Sequence, residues 1–134
     1  MQVRLEDAPT MNPNKQEITA LITPVTAEFQ DEARALASEG RETKALSRLR
    51  KASGPGLLEA RAALAVLESG RTLPVDYPQA LENLRSLAPD LTAEMTALLA
   101  VGDQTAAIKL LRDRTDIDLA GGYHLTQELA ARQA

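Results

Sequence analysis

The feature that most constrains this chain is a helix-forming run, residues 41–51, which is followed by a glycine turn and a second helix-forming run. The turn is Gly54-Pro55-Gly56, and it lies within the stretch from Ser53 to Arg61. Glycine admits a positive φ and proline lacks a backbone N–H, so the two together end a helix. The stretch therefore predicts a helix, a sharp turn and another helix.

The composition favours helices along the whole chain. Hydrophobic residues make up 44% of the 134 residues and charged residues 25%, which is typical of a folded globular protein. Aromatic residues make up only 2%, so the core must be built from Leu, Ala, Ile and Val. Because alanine and leucine are the best helix formers, we predict an all-α fold.

Apolar residues at helical spacing, interrupted by glycine or proline, predict eight helices. Thr23 and Pro24 form a start signal, a capping hydroxyl followed by proline at the first helical position. Gly40, Gly70 and Gly102 are expected to end helices as C-cap residues. The predicted helices are residues 15–22, 24–39, 41–53, 57–69, 78–87, 91–101, 104–114 and 119–131.

Two parts of the chain share one pattern. Residues 32–67 can be laid over residues 94–129 without a gap, and Gly40 then meets Gly102. Apolar positions coincide as well, for example Leu49 with Leu111. Chance agreement between two Ala/Leu-rich stretches is the alternative, but helical periodicity does not explain matched glycines. We interpret the two parts as a tandem repeat.

A three-helix unit of this size has little core of its own, and two copies packed face to face would supply one. We therefore predict a helical bundle of two pseudo-repeated three-helix units with short connecting helices. The expected organisation is a flexible N-terminus (1–14) and a single helical domain (15–134). This domain comprises repeat 1 (24–70), a connector (71–89) and repeat 2 (90–132). Whether Met1 or Met11 is the native start stays open.

The residues around the glycine turn resemble a known element. The run GRETKALSRLR (40–50) and the following SGPGLLEAR (53–61) are similar to the helix–glycine turn–helix of the bacterial ribosomal stalk protein's C-terminal domain. That family shows a pattern like "K-AIK-VRE-TGLGLKEAK-LVE", and AIKLLRDRT (107–115) matches its first half. Gly54 and Gly56 keep the G-x-G, and Arg61 stands at the last lysine of "KEAK". In that family the helical pair forms a basic surface that recruits translation factors.

A basic stripe is the candidate binding feature, because Arg41, Lys44, Arg48 and Lys51 lie at helical spacing on one face. Residues 32–71 carry eight cations and five anions, a net charge of +3, whereas residues 94–132 carry four and six, a net charge of −2. Such a stripe would suit a protein partner with an acidic surface, and a merely solvated helix face is the alternative. The candidate partner-binding residues are Arg41, Lys44, Arg48, Lys51 and Arg61.

Catalytic and metal-binding patterns are not recognisable in the sequence. The chain has no cysteine, and His124 is its only histidine, so neither a metal site nor a nucleophile with its base is predicted. Gly54 and Gly56 could hold an anion at a helix N-terminus, but no P-loop lysine follows, and we favour a structural turn. We expect no cofactor, no metal and no enzymatic activity. No apolar run is long enough to span a bilayer, and we expect a cytoplasmic protein.

These observations predict a non-enzymatic protein–protein interaction module with one dedicated partner. An immunity- or antitoxin-like inhibitor, which is small, acidic and helical, fits this description. The alternative, implied by the resemblance, is a translation-associated protein that contacts elongation factors or the ribosome. Nucleic-acid binding through the basic helix is a weaker alternative, because no aromatic residues flank the stripe and the net charge is −4. The oligomeric state is left open.

Overall fold

The computed structural model of the protein describes residues 14–53 and 60–132. The predicted all-α fold is confirmed, because these residues form helices joined by short connections and contain no strand. Residues 1–13 of the expected flexible N-terminus, and the turn glycines Gly54 and Gly56, lie outside the described residues. The helices are α1 (Lys15–Leu21), α2 (Ala27–Ser38), α3 (Glu42–Ser53), α4 (Ala60–Glu68), α5 (Tyr77–Leu87), α6 (Pro89–Ala100), α7 (Gln104–Arg114) and α8 (Leu119–Ala131).

Three helices, α2, α4 and α6, end at a glycine with a left-handed backbone. Gly40, Gly70 and Gly102 have φ angles of +79°, +89° and +79°. The N–H of Arg41, the residue after Gly40, donates to the carbonyl oxygen of Leu36 at 2.9 Å, and the other two glycines are followed by the equivalent bond. This Schellman arrangement satisfies carbonyl groups that the helix end would leave unpaired. Each glycine therefore lets the chain leave its helix sharply.

The predicted helix start at Thr23 and Pro24 is wrong. Helix α2 begins later, and the Thr23 hydroxyl instead donates to the carbonyl oxygen of Thr19, at the end of α1, at 2.6 Å. The segment between α1 and α2 pairs with the connector, where the Val25 N–H donates to the carbonyl oxygen of Pro74 at 2.8 Å. This long-range backbone bond, which no local pattern indicates, holds the segment outside the helix.

The core consists of two hydrophobic clusters, one in each half of the chain, and residues at the C-terminal end of α1 contribute to both. The buried residues of the first cluster are Ala20, Leu21, Val25, Ala33, Ala45, Leu49, Ala60, Ala63, Leu64, Val66, Leu67 and Leu73. Those of the second cluster are Ile22, Ala80, Leu81, Leu84, Leu91, Met95, Ala107, Leu111, Ile117, Leu125 and Leu129.

Contrary to the prediction, the two groups of three helices do not pack face to face. Helices α2, α3 and α4 pack on one another, and so do α6, α7 and α8. Over the described part of the chain, no extensive contact joins the two groups directly. Helices α1 and α5 lie between them instead: α1 packs on α4 and α5, and α5 packs on α6 and α8. Helices α1 and α5 therefore cover the apolar surface that we expected each three-helix group to bury against the other group.

The tandem repeat itself stays a prediction, and the helix bounds are compatible with it. An offset of 62 residues places α2 (Ala27–Ser38) on α6 (Pro89–Ala100), each twelve residues long. The same offset pairs buried Ala45 with Ala107 and buried Leu49 with Leu111.

Polar contacts also attach α1 to α5 and to the loop before α8. The Thr19 hydroxyl oxygen accepts a hydrogen bond from the N–H of Asp116, at 2.8 Å, in the loop before α8. The Asn83 side chain on α5 donates to the carbonyl oxygen of Leu21 at 2.7 Å. A seven-residue helix is too short to be stable alone, so these contacts and its buried face hold α1 in place.

Candidate protein-binding surface

Helix α3 is the most exposed helix of the first half. Between Glu42 and Ala52, only Ala45 and Leu49 are buried, while Leu46 and Ala52 are partly buried. The buried residues lie four positions apart, which places them on one face of the helix. The remaining surface of α3 faces solvent, and a polar helix attached by so narrow a face can present charged side chains to another molecule.

Four exposed cations form the α3 basic stripe, which we define as Arg41, Lys44, Arg48 and Lys51. Arg41 immediately precedes α3, and the other three follow at steps of three, four and three residues. Steps of three and four keep side chains on one side of a helix, so the four cations form a continuous line. With a rise of 1.5 Å per residue, this line is about 15 Å long.

Two members of the stripe form ion pairs within the chain. Arg48 Nε lies 3.3 Å from Glu32 Oε2 on α2, and Arg41 lies 3.9 Å from Glu39. All four side chains are at least 40% exposed, and exposed pairs of this kind contribute only about 0–1 kcal/mol. Either arginine could therefore exchange its partner for a carboxylate of another protein at little cost.

Lys44 and Lys51 have no ion pair among the described residues, and both are exposed. Along the stripe, Lys44 follows Arg41 and Lys51 follows Arg48, the two arginines that form ion pairs. An ammonium group without a carboxylate partner keeps its full attraction for an incoming acidic surface. These two lysines are therefore the strongest electrostatic contribution that the stripe can make to an encounter.

Arg61, the fifth predicted binding residue, lies at the start of α4 and is exposed. Within residues 14–53 and 60–132, no hydrogen bond or ion pair joins its side chain to the stripe. The structure thus brings Arg41, Lys44, Arg48 and Lys51 together and leaves Arg61 on a different helix.

The corresponding face of the second half has a different chemistry. Under the predicted overlay, Arg41 corresponds to Asp103, Arg48 to Leu110 and Lys51 to Asp113. Leu110 and Asp113 line a shallow groove of about 520 Å³ between α6 and α7, together with Glu94, Ala97, Leu98, Ala106 and Lys109. This face is acidic and apolar where the first is basic, so a ligand of the stripe would not bind both halves alike.

Sequence reasoning missed Glu32 as a neighbour of the stripe. Glu32 on α2 pairs with Arg48, and Glu94 on α6 pairs with Arg114 at 3.4 Å. Glu32 and Glu94 coincide in the overlay of the two parts of the chain. This shared position could have indicated that the glutamate has the same role in both halves. In both halves this glutamate joins the first helix of the group to the second.

The single histidine lies in a small aromatic group on the other half of the chain. The His124 ring centroid is 5.1 Å from that of Tyr77 and 5.5 Å from that of Tyr123. Burial, and secondarily the negative charge of Asp118, raises the pKa of Tyr77 above its ordinary value of 10.0. Asp118 itself caps α8 by accepting a hydrogen bond from the Gly121 N–H at 2.8 Å.

No group of three or more His, Asp or Glu side chains that could hold a metal ion occurs in the described ranges. No helix of these ranges combines the length and the apolar character needed to cross a membrane. Comparison of the chain with models of protein families, with curated proteins and with solved structures found no match.

Proposed function

We propose that the protein is a non-enzymatic interaction module that binds one dedicated partner protein through the α3 basic stripe. The observation that carries this proposal is the pair of exposed lysines, Lys44 and Lys51, which lack an ion pair in the described part of the chain. Helix α3 holds them in line because buried Ala45 and Leu49 attach it to the first cluster. The matching partner surface is acidic, since complementary charges accelerate encounter and fix orientation.

The stripe is one part of the proposed interface. A stable interface buries about 800 Å² on each partner, more than a single line of four side chains provides. Helix α2, which lies beside the stripe through the Arg48–Glu32 ion pair, would supply neighbouring surface. Charged residues at the edge of such an interface mainly affect the association rate and its salt dependence.

Within this function, we favour an immunity- or antitoxin-like inhibitor that acts in the cytoplasm. A chain of 134 residues with net charge −4 and a basic stripe on one helix is suited to cover an acidic site on a single target. The resemblance to the ribosomal stalk domain supports a translation factor as the alternative partner. A single target and a translation factor would both bind to the same stripe. The identity of the captured protein therefore distinguishes the two hypotheses.

The test compares two double charge reversals that change the net charge equally. Lys44→Glu/Lys51→Glu reverses the unpaired lysines of the stripe. Lys15→Glu/Arg85→Glu is the matched control, because Lys15 on α1 and Arg85 on α5 are also exposed and have no ion pair among the residues described. Circular dichroism of both variants establishes that the helices are intact.

The tagged wild-type protein is first used to capture its partner from a lysate of its host, and the affinity for the purified partner is then measured. We expect the stripe variant to bind at least tenfold more weakly and the control variant to bind like the wild type. Equal loss of affinity in both variants would indicate only a net-charge effect, and full binding by the stripe variant would exclude the stripe as the binding surface.

Capture of elongation factors or ribosomal proteins would favour the translation-associated alternative. Capture of nucleic acid, with an affinity that falls steeply as salt is added, would favour nucleic-acid binding through the basic helix.

A further inference from the structure

The outward face of α7 forms a ridge between two grooves. A groove of about 520 Å³ separates α7 from α6, and its wall includes Leu98 and Leu110. A second groove, of about 580 Å³, separates α7 from the start of α8 and includes Leu119. Lys109 and Asp113 line both grooves, so their side chains form the crest of the ridge. A helix ridge beside a groove is the shape that packs against another helix.

The groove between α6 and α7 exposes apolar surface to solvent. Four of its seven lining residues are apolar: Ala97, Leu98, Ala106 and Leu110. Ala97 is exposed, and the other three are only partly buried. In the adjoining groove, Leu119 is 61% exposed. Single apolar side chains at a surface are normal, but a mostly apolar groove is typical of a site that another protein covers.

Lys109 and Asp113 form an ion pair whose members are free to change partners. Lys109 Nζ lies 3.0 Å from Asp113 Oδ2, and the two side chains are 75% and 59% exposed. Pairs as exposed as this one add little stability, so an exchange of partner costs little. The crest of the ridge therefore carries two opposite charges, one helical turn apart, that can each bind the opposite charge of another molecule.

This arrangement of charge is complementary to itself. Two α7 helices can lie antiparallel about a two-fold axis that passes midway between residues 109 and 113. Lys109 of each copy then lies level with Asp113 of the other. A two-fold axis repeats every contact, so both ion pairs form together. A parallel arrangement in register would place like charges opposite one another, so the charges favour the antiparallel one.

Helix α3, which corresponds to α7 in the predicted overlay, lacks this property. Lys109 corresponds to Ser47 and Asp113 to Lys51. Two α3 helices brought together would place the cations of the basic stripe near one another, which disfavours association. The second half of the chain is thus the half suited to bind its own copy, whereas the first half suits an acidic partner.

We propose that a second copy of the chain docks on α7. The two α7 helices lie antiparallel, and the crest of each copy occupies the groove between α6 and α7 of the other, where it covers Leu98 and Leu110. Lys109 of each copy pairs with Asp113 of the other. The α3 basic stripe takes no part in these contacts, so dimerisation does not require the partner protein of the stripe. Because one helix and its groove form a small interface, the dimer is weak and forms at high protein concentration.

Charge reversals on the crest test the pairing. Lys109→Asp and Asp113→Lys each place like charges opposite one another at both contacts, so we expect each variant to dimerise about tenfold more weakly than the wild type. The wild-type net charge is −4. Net charge alone would therefore weaken the dimer of the first variant and strengthen that of the second. Sedimentation equilibrium of the full-length chain at up to about 1 mM measures the dissociation constant, and circular dichroism establishes that the helices are intact.

Two combinations of these changes restore opposite charges. In an equimolar mixture of the two variants, each carboxylate of one chain faces an ammonium group of the other, so we expect mixed dimers at least as stable as the wild-type dimer. The double variant Lys109→Asp/Asp113→Lys exchanges the two charges within one chain and should dimerise like the wild type.

The groove is tested by a change that leaves the charge unaltered. Ala97→Gln places an amide in the apolar groove, where the dimer would bury it without a partner, and should weaken dimerisation about tenfold. Ala65→Gln, the same change at an exposed position of α4, is the matched control and should dimerise like the wild type.

Four results would overturn the proposal. The wild type stays monomeric at about 1 mM, or the mixture of reversed variants forms no more dimer than either variant alone. Asp113→Lys dimerises more tightly than the wild type, which would be an effect of net charge. Finally, unchanged dimerisation of Ala97→Gln would exclude the groove between α6 and α7 as the contact.

Discussion

At the scale of single residues, one buried amide joins α2 and the segment before it to the connector. Gln30 on α2 is 3% exposed, and its Nε2 donates to the carbonyl oxygens of Val25 (2.7 Å) and Leu73 (2.9 Å). Its Oε1 accepts from the Leu73 N–H at 2.9 Å. One side chain thus satisfies three buried backbone groups that have no helix to pair with.

Replacement of the Gln30 amide should lower the stability of the protein, even when the new side chain has nearly the same shape. We expect Gln30→Met to lower the free energy of unfolding by about 2–3 kcal/mol, because the Leu73 N–H and two carbonyl groups lose their partner inside the core. Urea unfolding followed by circular dichroism measures the change. Gln16→Met at an exposed position is the matched control and should change stability by less than about 0.5 kcal/mol. An equal effect of both substitutions would contradict the role assigned to Gln30.

The environment of Tyr77 predicts a dependence of stability on alkaline pH. Burial and the charge of Asp118 raise its pKa, so the folded state holds the phenol proton more tightly than the unfolded state. Tyr77 therefore contributes stability at pH values below 10, and this contribution is lost as the pH rises through the raised pKa.

An absorbance titration of the Tyr123→Phe variant, in which Tyr77 is the only tyrosine, should show a midpoint above 10.0. Adding Asp118→Asn, which keeps an acceptor for the α8 N-cap, should move the midpoint part of the way back, since burial is the larger cause. A midpoint that returns fully to 10.0 would make the charge of Asp118 the main cause instead.

At the scale of elements, two glycines determine how α8 begins and how it meets α7. A Cβ atom on Gly121 would lie 2.8 Å from Ile117 Cγ1 and 2.9 Å from Asp118 Oδ1, the atom that caps the helix. A Cβ on Gly122 would lie 3.2 Å from Arg112 Cγ on α7, part of a flexible side chain. The first turn of α8 is therefore intolerant of a side chain at Gly121.

Alanine scanning of the two glycines should give unequal results. We expect Gly121→Ala to lower the free energy of unfolding by about 1–3 kcal/mol, because buried Ile117 and the cap must move. Gly122→Ala is the matched control: the gain in helix propensity, about 1 kcal/mol, offsets a small shift of the Arg112 stem. Thermal unfolding of both variants measures the difference, and equal destabilisation would contradict the assigned contacts.

At the scale of the whole molecule, two clusters are joined mainly through α1 and α5. Ala20 and Leu21 belong to the first cluster and Ile22 to the second, although these residues are adjacent in the chain. The hydrogen bond from the Asp116 N–H to Thr19 adds a link between α1 and the second half. An element shared by both clusters couples their stabilities, so we expect the chain to unfold in one cooperative transition.

Two spectroscopic signals can test this coupling. Both tyrosines lie in the second half and the chain has no tryptophan, so tyrosine fluorescence reports that half, whereas circular dichroism reports all helices. We expect their urea curves to coincide in the wild type. Leu64→Val, in the first cluster, should destabilise by about 1 kcal/mol and shift both curves together, as should Leu125→Val in the second. In Leu64→Val, loss of circular dichroism before fluorescence would show independent halves.

The amino-acid sequence by itself determined the features that depend on neighbours along the chain. The composition predicted the all-α fold, and local periodicity predicted α7 as residues 104–114 and α8 as residues 119–131, the bounds that the structure shows. The spacing of the four cations placed them on one face of one helix. Each of these depends on contacts within about one helical turn, which a linear pattern records.

The tertiary structure decided everything that depends on which segments meet. Thr23 lost its predicted cap role because distant Pro74 pairs with the segment that follows it. The short helix α1 joined two clusters, although its sequence resembles any small amphipathic helix. The pairing of Arg48 with Glu32 likewise follows from how helices approach one another. Such contacts depend on partners far apart in the chain, and a one-dimensional pattern carries no information about their distance in space.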